Sequence, residues 1–493
     1  MIRNNELIGK YFEEYSLVKS NIESFNYFID SGISEIIKEI GDIVPTIIPP
    51  EMEDFRIRFD KVEVEKPSIV EADGSKRDIY PSEARLRKIS YSAPVFINVS
   101  VHIDGIQRES FRTQIAKIPI MVKSKYCHLS GLNRDQTIGK GEDPDDPGGY
   151  FILNGNERVL ITVEDLASNK MFFESKKTGP SKYVAHIFSE RGAYRIPHEI
   201  VQHRDGIIYL SFTRIKKVPI LAVIKALGLT RDDDIVNAVS KNEQFDDLIV
   251  NLYNTVDLKK QEDAIEYLGK KIGIEQLKDI VIEKTLENLD RYLLPHLGID
   301  KDNRMKKAYN LCKLVRRFLI MSNKKIIIDK DHYMNKRLKL SGDLLLDLFR
   351  VNMRALINDL LYNFQRLVKR GKFSSVKIII RDKLLTDRIK SALATGSWVG
   401  GRKGISQNID RTNFLATLSH LQRVNSLLSA SQENFAARAL HSTHFGRLCP
   451  IETPEGTSIG LRKNIALLGT ITQGVFNEDK LKKAFVGLGL KEI

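Results

Sequence analysis

The stretch Gly404–Asn425 reads GISQNIDRTNFLATLSHLQRVN, and His441–Leu467 reads HSTHFGRLCPIETPEGTSIGLRKNIAL. Both segments are dense in polar residues, but these are amides, imidazoles and arginines set among Phe, Leu and Ile. An ordinary solvated surface would be mostly Lys and Glu. Guanidinium and amide groups donate hydrogen bonds well to phosphate and sugar oxygens. The composition of this stretch therefore predicts a surface that holds a polar polyanion at close range.

The order of these pieces resembles the fork region of the second-largest subunit of multisubunit RNA polymerases. GISQ, DRTNFLATLSHLQR, HSTHFG, CPIETPEG and GLRKNIAL follow one another as in that family. Three further segments resemble the same family. GGYFILNGNERVLI (Gly148–Ile161) resembles its protrusion domain, LLPHLG (Leu293–Gly298) its lobe, and DKDHYMNKRLKLSGDLL (Asp329–Leu345) the segment in which the chain leaves the lobe.

The size and charge of the chain agree with such a role. Its 493 residues allow two to four domains, each able to bury its own core. The hydrophobic content of 42% and the charged content of 28% are ordinary for a globular protein. The formal net charge of +14 favours negatively charged partners, chiefly nucleic acid.

Several other protein classes are disfavoured by the sequence. The three cysteines lie far apart without a Cys-x-x-Cys, which argues against a disulfide framework and an all-cysteine zinc site and fits a reducing cytoplasm. The N-terminus has no signal-peptide core, and no apolar run reaches the length of a membrane span. We therefore expect a cytoplasmic protein without a membrane partner.

The apolar pattern changes period along the chain. Residues 5–41 have helical spacing, whereas residues 54–122 alternate as strands do and contain a hairpin turn at Asp104-Gly105. Further helices are predicted at Val218–Gly228, Met305–Met321 and Leu344–Val368. Pattern and resemblance together predict a multidomain α+β fold of mixed helices and antiparallel sheets.

The resemblance also predicts the domain boundaries, with a lobe inserted in a protrusion domain and followed by a fork. The expected segments are protrusion 1–168, lobe 169–342, the returning part of the protrusion 343–399, fork 400–475, and 476–493 as a tail or the start of another domain.

Within the fork, the pattern predicts a helix over Arg411–Asn425 that Asp410 caps. Phe414, Leu418 and Leu421 would form its packing face, and Arg411, Gln422 and Arg423 would point outward. The polar segment Asn425–Ala437 is predicted to be a loop.

The resemblance assigns nucleic-acid contacts to residues of the fork. Gln407 and Arg423 match positions that contact the transcript or hybrid backbone, and Arg438 matches an arginine beside the active site. Arg402 and Lys403 occupy the first fork loop, which is shorter than in eukaryotic relatives. Glu455 matches an acid on the substrate-entry side that would hold a basic group or a mobile element. The alternative for Gln407 and Arg423 is a hydrogen bond inside the domain.

The same region corresponds to the pocket in which bacterial relatives bind rifamycin drugs. The equivalent positions here are Asn408, Asp410, His420, Asn425 and Arg462. Asp410 and His420 match the bacterial residues, whereas the other three replace an aromatic residue, a Ser and an Ile. We therefore expect resistance to rifamycins.

By spacing, the best candidate metal ligands are His441, His444 and Cys449, since imidazole and thiolate bind zinc well. They make a stand-alone metal-dependent hydrolase the alternative function. Against it, no Glu lies between the two histidines, as a metalloprotease helix would require. The family binds no metal at these positions, so we expect neither a metal nor a catalytic residue in this chain.

The resemblance implies that the chemistry belongs to the assembled enzyme. In the family, the Mg²⁺ that aligns the reactants is held by an aspartate triad of the largest subunit, and that motif is absent here. We expect the largest, A-type subunit, the C-terminal half of a split B-type subunit, other polymerase subunits, template DNA and nascent RNA as partners. The match is to the N-terminal half of such a split subunit, as in some archaea, and this chain alone is expected to be inactive.

Overall fold

A computed structural model describes residues 4–176, 179–192, 194–213, 215–240, 243–274, 277–371, 375–472 and 478–490. The chain forms two compact units. The first consists of Met1–Asp165 and Leu338–Ile493, and the second of Leu166–Arg337. The second unit is therefore inserted in sequence between two parts of the first. Of the predicted terminal segment 476–493, residues 476, 477 and 491–493 lie outside the described residues.

The helices, in chain order, are α1 Asn4–Glu14, α2 Lys19–Tyr27, α3 Ile33–Ile40, α4 Pro81–Leu86, α5 Arg134–Gly139, α6 Ile220–Ala226, α7 Asp232–Ser240, α8 Asp246–Tyr253, α9 Gln261–Ile272, α10 Lys278–Tyr292, α11 Arg304–Lys324, α12 Ser341–Lys369, α13 Asp382–Thr395, α14 Phe414–Leu421, α15 Phe435–Arg438 and α16 Glu478–Gly487. A π-helical turn, Phe28–Gly32, joins α2 to α3. None of the helices in these ranges is both long and apolar enough to cross a membrane.

The strands are β1 Asp42–Ile43, β2 Phe55–Val64, β3 Ser68–Val70, β4 Lys76–Asp78, β5 Ser92–Ile103, β6 Ile106–Pro119, β7 Phe151–Leu153, β8 Asn156–Leu160, β9 Thr162–Leu166, β10 Met171–Ser175, β11 Ser181–Arg191, β12 Tyr194–His203, β13 Ile208–Phe212, β14 Ile215–Pro219, β15 Lys336–Lys339, β16 Ser406–Asn408, β17 Arg423–Ser426 and β18 Arg462–Asn464. Helices and several antiparallel sheets thus alternate along the chain, and the predicted α+β fold is confirmed.

The first unit is built on a four-stranded antiparallel sheet of order β1-β2-β5-β6. β5 and β6 form a hairpin in which Ile103 pairs with Ile106. Its two central residues, Asp104 and Gly105, have φ of 51° and 79°. Positive φ at both positions gives the turn a twist that matches the strands, and the predicted hairpin is confirmed.

The long helix α12 forms the centre of the first unit's core. It confirms the helix predicted over Leu344–Val368 and buries a face that includes Leu344, Phe349 and Met353. α12 packs against α2 and α13, and α13 packs in turn on β6. The indole of Trp398, the single tryptophan of the chain, donates a hydrogen bond to the carbonyl of Leu344 at 2.9 Å. This residue is therefore anchored in the same core.

Two small sheets carry the fork segment. In the first, β8 lies between β7 and β16, and both pairs are antiparallel. In the second, β17 pairs in parallel with β9 and antiparallel with β18. β8 and β9 are separated only by Ile161, whose N–H donates to the carbonyl of Ile405. The fork segment is thus held on two consecutive strands of the protein's first third.

The predicted helix over Arg411–Asn425 is wrong at both ends. Helix α14 begins at Phe414, and Asn413 rather than Asp410 is its N-cap, because the Asn413 side chain accepts from the N–H of Ala416 at 2.7 Å. At the other end, residues 423–426 form β17, since pairing with β9 and β18 satisfies more backbone groups than one further helical turn. The predicted loop at 425–437 shrinks accordingly to 427–434, between β17 and α15.

The packing face of α14 agrees with the prediction at Leu421 but differs from it at Phe414. Phe414 is 57% exposed, whereas Thr417, His420 and Leu421 are buried. A buried imidazole, rather than the phenyl ring of Phe414, therefore belongs to the packing face of α14.

The second unit consists of one antiparallel sheet covered by helices. Its five strands, β10 to β14, are neighbours in chain order. Helices α6, α9 and α11 pack together beside the sheet, and one apolar cluster joins them through residues such as Phe173, Leu210, Val223 and Phe318. Helix α11 confirms the helix predicted over Met305–Met321.

Candidate nucleic-acid interface

The pairing of β17 with β18 brings together residues that are far apart in the fork sequence. Arg423 lies opposite Asn464, and Asn425 lies opposite Arg462. The amide of Asn464 donates to the carbonyl of Ser419, at 2.9 Å, and so ties β18 to α14. This arrangement places two arginines, Arg423 and Arg462, on neighbouring strands beside the helix that carries His420.

Arg423 and Arg462 make no ion pair within 4.0 Å, and their guanidinium groups make no hydrogen bond, with any residue in the described ranges. Burial lowers the pKa of Arg423, and the positive charge of Arg462 lowers it further, although Asp410 and Glu452 act in the opposite direction. Arg423 is half-buried and Arg462 is exposed, and two cations that repel each other are stabilised by an anion placed between them. The pair is therefore suited to bind a phosphate.

A chain of hydrogen bonds runs beside this arginine pair. The backbone N–H of Asp410 donates to Nδ1 of His420 at 3.0 Å, and Nε2 of His420 lies 3.1 Å from Oε1 of Gln407. The Gln407 amide nitrogen donates to the carbonyl of Gly404 at 3.0 Å. Burial lowers the pKa of His420 to about 4, and the charge of Arg423 contributes to this shift. His420 is therefore neutral at physiological pH.

Arg438 is held in a different way from Arg423. One of its terminal nitrogens donates to the carbonyls of Thr457 and Ile459 at 2.7 and 3.0 Å, and the other to those of Ala430 and Gln432 at 2.8 and 3.2 Å. These carbonyls belong to the loop before α15 and to the segment before β18. The guanidinium thus ties the two segments together.

Arg402, predicted to contact nucleic acid, forms an ion pair with Asp165 at 2.8 Å, and both side chains are largely buried. Its neighbour Lys403 is exposed. Glu455 is exposed as well and makes no hydrogen bond or ion pair with the part of the chain that the structure describes. Of these three predicted residues, Lys403 and Glu455 are thus open to a partner, whereas the charge of Arg402 is already neutralised.

The comparison with known proteins decides the family. A family model described as "RNA polymerase beta subunit" matches residues 16–387 of this chain. The chain belongs to the RNA polymerase beta subunit family. A second model of this group, "RNA polymerase Rpb2, domain 3", matches residues 407–471 and therefore covers the arginine pair, His420 and Gln407.

Curated members of the beta subunit family are similar over nearly the whole chain. DNA-directed RNA polymerase subunit Rpo2 of Saccharolobus shibatae is 41% identical over 98% of this chain and 43% of its own length. Subunit Rpo2N of Halobacterium salinarum is 40% identical over 99% of this chain and 96% of its own length. For Rpo2N of Methanocaldococcus jannaschii the identity is 40%, over 95% of each chain. This chain therefore spans less than half of the Rpo2 relatives and nearly all of the Rpo2N relatives.

The residues that the resemblance matched to the bacterial drug pocket lie on several elements of the candidate interface. Asn408 is exposed at the end of β16, and the Asp410 side chain accepts from the N–H and hydroxyl of Thr412. His420, Asn425 and Arg462 belong to the helix and strands described above. The expected rifamycin resistance stays a prediction.

Two contacts that hold the fork segment in place were not predicted from the sequence. Arg411, predicted to point outward, binds Glu157 at 2.7 Å and Asp146 at 3.0 Å and stacks over the ring of Tyr150. Gln422 is buried rather than outward-facing, since the chain turns into β17 at that point. The acids that hold Arg411 are more than 250 positions away in sequence, so a helical wheel could not reveal them.

The second unforeseen contact is a buried ion pair between β18 and β9. Nζ of Lys463 lies 3.0 Å from a carboxylate oxygen of Glu164, and both side chains are less than 10% exposed. The motif GLRKN shows the lysine but not its partner. The pair sits where β17 is flanked by β9 and β18, so it helps to hold the strand that carries Arg423 and Asn425.

The alternative metal site is not assembled. In the described ranges no three His, Cys, Asp or Glu side chains are grouped so that they could hold a metal ion. Nδ1 of His441 lies 2.7 Å from the hydroxyl of Thr443, and the His441 and His444 rings are 6.1 Å apart. Together with membership of the beta subunit family, this leaves the stand-alone hydrolase without support.

Proposed function

We propose that this chain is a subunit of a cytoplasmic DNA-directed RNA polymerase and contributes the protrusion, lobe and fork that line the DNA cleft and the site of the RNA–DNA hybrid. The first unit, Met1–Asp165 with Leu338–Ile493, supplies the protrusion and fork in this proposal, and the second, Leu166–Arg337, supplies the lobe. Supporting evidence is the similarity of nearly the whole chain to subunits named Rpo2 and Rpo2N.

One observation carries the nucleic-acid part of the proposal. Arg423 and Arg462 lie diagonally on the paired strands β17 and β18, without a carboxylate within ion-pair distance among the described residues, inside the segment that matches Rpb2 domain 3. A formal net charge of +14 adds a long-range attraction for polyanions. The backbone of the transcript or template would supply the missing negative charge, with Gln407 donating to a neighbouring oxygen.

The proposal assigns no catalytic residue and no metal to this chain. The magnesium ions of nucleotidyl transfer would be held by the largest subunit, and the C-terminal half of the B-type subunit would complete the wall around the hybrid. Lys403, Arg438, Arg402 and Glu455 are proposed to lie close to nucleic acid or substrate, with Arg438 and Arg402 acting through the loops that they hold in place.

The test compares two charge-matched double variants in a polymerase reconstituted with all partner subunits. Arg423→Ala with Arg462→Ala removes the arginine pair, whereas Arg366→Ala with Arg388→Ala removes two exposed arginines from α12 and α13. We expect the first to weaken binding of an RNA–DNA hybrid scaffold by about 10- to 100-fold and to lower the slope of log K against log[salt] by up to about 2. The second should leave both quantities nearly unchanged. Equal effects of the two variants would contradict the proposal.

A further inference from the structure

His420 has an unusual position for a polar side chain of the fork. It is only 4% exposed, yet both ring nitrogens make hydrogen bonds. One bond goes inward to the backbone of Asp410, and the other goes to Gln407, a side chain that is half-buried at the edge of the protein. The imidazole thus connects the rigid backbone to a side chain that the proposed function places on nucleic acid.

The backbone bond determines which tautomer His420 adopts. A peptide N–H can only donate, so Nδ1 of His420 must accept from Asp410 and carries no proton. A neutral imidazole then bears its proton on Nε2. The Nε2–H therefore donates, and the atom of Gln407 that faces it must be the carbonyl oxygen Oε1.

Two hydrogen bonds determine the orientation of the Gln407 carboxamide. Its oxygen accepts from His420, and one of its two amide hydrogens is donated to the carbonyl of Gly404. A flipped amide would set N–H against the His420 N–H and oxygen against the Gly404 oxygen, so that both hydrogen bonds would be lost. The amide N–H that makes neither bond is left to donate to a ligand, and its position is fixed by the orientation of the carboxamide.

We propose that His420 is a positioning residue that holds the Gln407 carboxamide in one orientation, so that Gln407 presents an N–H to a backbone oxygen of bound nucleic acid. This inference rests on the proposed function and deepens it. An N–H held in a fixed position can donate to a phosphate or sugar oxygen without first paying to order the side chain. Arg423, whose charge acts on His420, presents its own donors in the same region.

Two substitutions of His420 separate the two hydrogen bonds. In His420→Gln the side-chain amide nitrogen reaches the position of Nε2 and can still donate to Gln407. In His420→Asn the side-chain oxygen takes the place of Nδ1 and can still accept from Asp410, but nothing donates to Gln407. A merely structural role of His420 would make both variants similarly defective, whereas the positioning role makes only the second one defective in binding.

The experiment measures the affinity of the reconstituted polymerase for an RNA–DNA hybrid scaffold. We expect His420→Asn to weaken binding about 5- to 10-fold, as Gln407→Ala does, and His420→Gln to remain within about 2-fold of the unchanged protein. His420→Asn combined with Gln407→Ala should lose no more than either alone, because one substitution already removes what the other controls. Additive losses, equal losses in the Asn and Gln variants, or an unaffected Gln407→Ala would overturn the proposal.

A second measurement needs neither folding of a variant nor nucleic acid. Nitrogen-15 NMR of histidine-labelled full chain at about pH 7 should show His420 as the neutral Nε2–H tautomer, and a protonated Nδ1 would overturn the proposal. The binding measurements distinguish a failure of the positioning role of His420 from a failure of the proposed function. If loss of Arg423 and Arg462 weakens binding but His420→Asn does not, only the positioning role is wrong; if neither weakens it, the proposed function fails as well.

Discussion

Charged side chains in the two units of this protein reach partners at different distances along the sequence. In the first unit, Glu164 and Lys463 are 299 positions apart in sequence, and Arg411 is 254 positions from Glu157. In the second unit, Lys307 donates to the carbonyl of Asp290, only 17 positions away, at the C-terminal end of α10. These two ion pairs of the first unit therefore join distant segments, whereas this bond of the second unit caps a neighbouring helix.

This difference bears directly on function. Joining segments about 300 residues apart costs more loop-closure entropy than joining neighbours, so the long-range pairs form only when the first unit is folded as a whole. The candidate interface depends on such pairs, because β17 is held between β9 and β18. A local defect in the second unit should leave the interface intact, but a defect between β9 and β18 should not.

The largest effect is expected from Glu164→Ala. The substitution removes the carboxylate that balances the buried ammonium of Lys463, which typically costs about 3–5 kcal/mol of unfolding free energy. The transition can be followed by urea denaturation and fluorescence of Trp398, since this single tryptophan is buried in the first unit.

The matched control replaces both partners with apolar residues of similar size. Glu164→Leu with Lys463→Met removes the buried charges together, so most of the lost stability should return. A Glu164→Ala variant with an unchanged urea midpoint would show that the first unit does not depend on this long-range pair, and the contrast between the units would be lost.

The same contrast explains which parts of the structure were predictable. The hairpin at Asp104-Gly105 and helices α11 and α12 follow from local turn chemistry and periodicity, and all three were predicted. The helix predicted over Arg411–Asn425 included Arg423, Val424 and Asn425, but these residues lie in a strand, because β17 pairs in parallel with β9 from a distant part of the sequence. Tertiary pairing here overrides local preference.

Candidate site residues were proposed from their motifs, but the partners of these residues within the chain were not predicted. Arg423 and Arg438 look equivalent in the sequence, as arginines among small and polar residues. In the structure, Arg438 donates to four backbone carbonyls, whereas Arg423 makes no ion pair with the described residues. The sequence indicates the candidate hydrogen-bond donors of the interface, but only the fold shows which of them already donate to groups within the chain.

An intermediate effect is expected from Lys307→Met in the second unit. Lys307 is fully buried, burial lowers its pKa to about 8, and its ammonium donates to the carbonyls of Leu289 and Asp290. Met retains the apolar stem but leaves both carbonyls without this donor, at a cost of about 2 kcal/mol. Far-UV circular dichroism of the helices should report the loss, while the Trp398 transition keeps its midpoint. A joint shift of both signals would show that the units do not respond separately.

The smallest effect concerns two buried histidines, one in each unit. Burial lowers the pKa of both His198 and His420 to about 4. His198 donates from Nδ1 to the carbonyl of Ile196 and accepts at Nε2 from the N–H of Leu294, so its bonds are all to backbone. The two imidazoles thus have similar pKa values, but His198 bonds only to backbone groups, whereas His420 also bonds to the side chain of Gln407.

The sign of the pH effect follows from these pKa values. As the pH falls through about 6.5, each histidine takes up a proton in the unfolded chain but not in the folded one, so stability declines until about pH 4. At about pH 5.5 each group should cost its unit about 1.4 kcal/mol relative to pH 8. Removing one titrating group, in His198→Gln, should reduce the pH-dependent loss seen by circular dichroism by this amount and leave the loss seen by Trp398 unchanged. Equal changes in both signals would mean that protonation in one unit is felt in the other, and the two units would have to be treated as one cooperative structure.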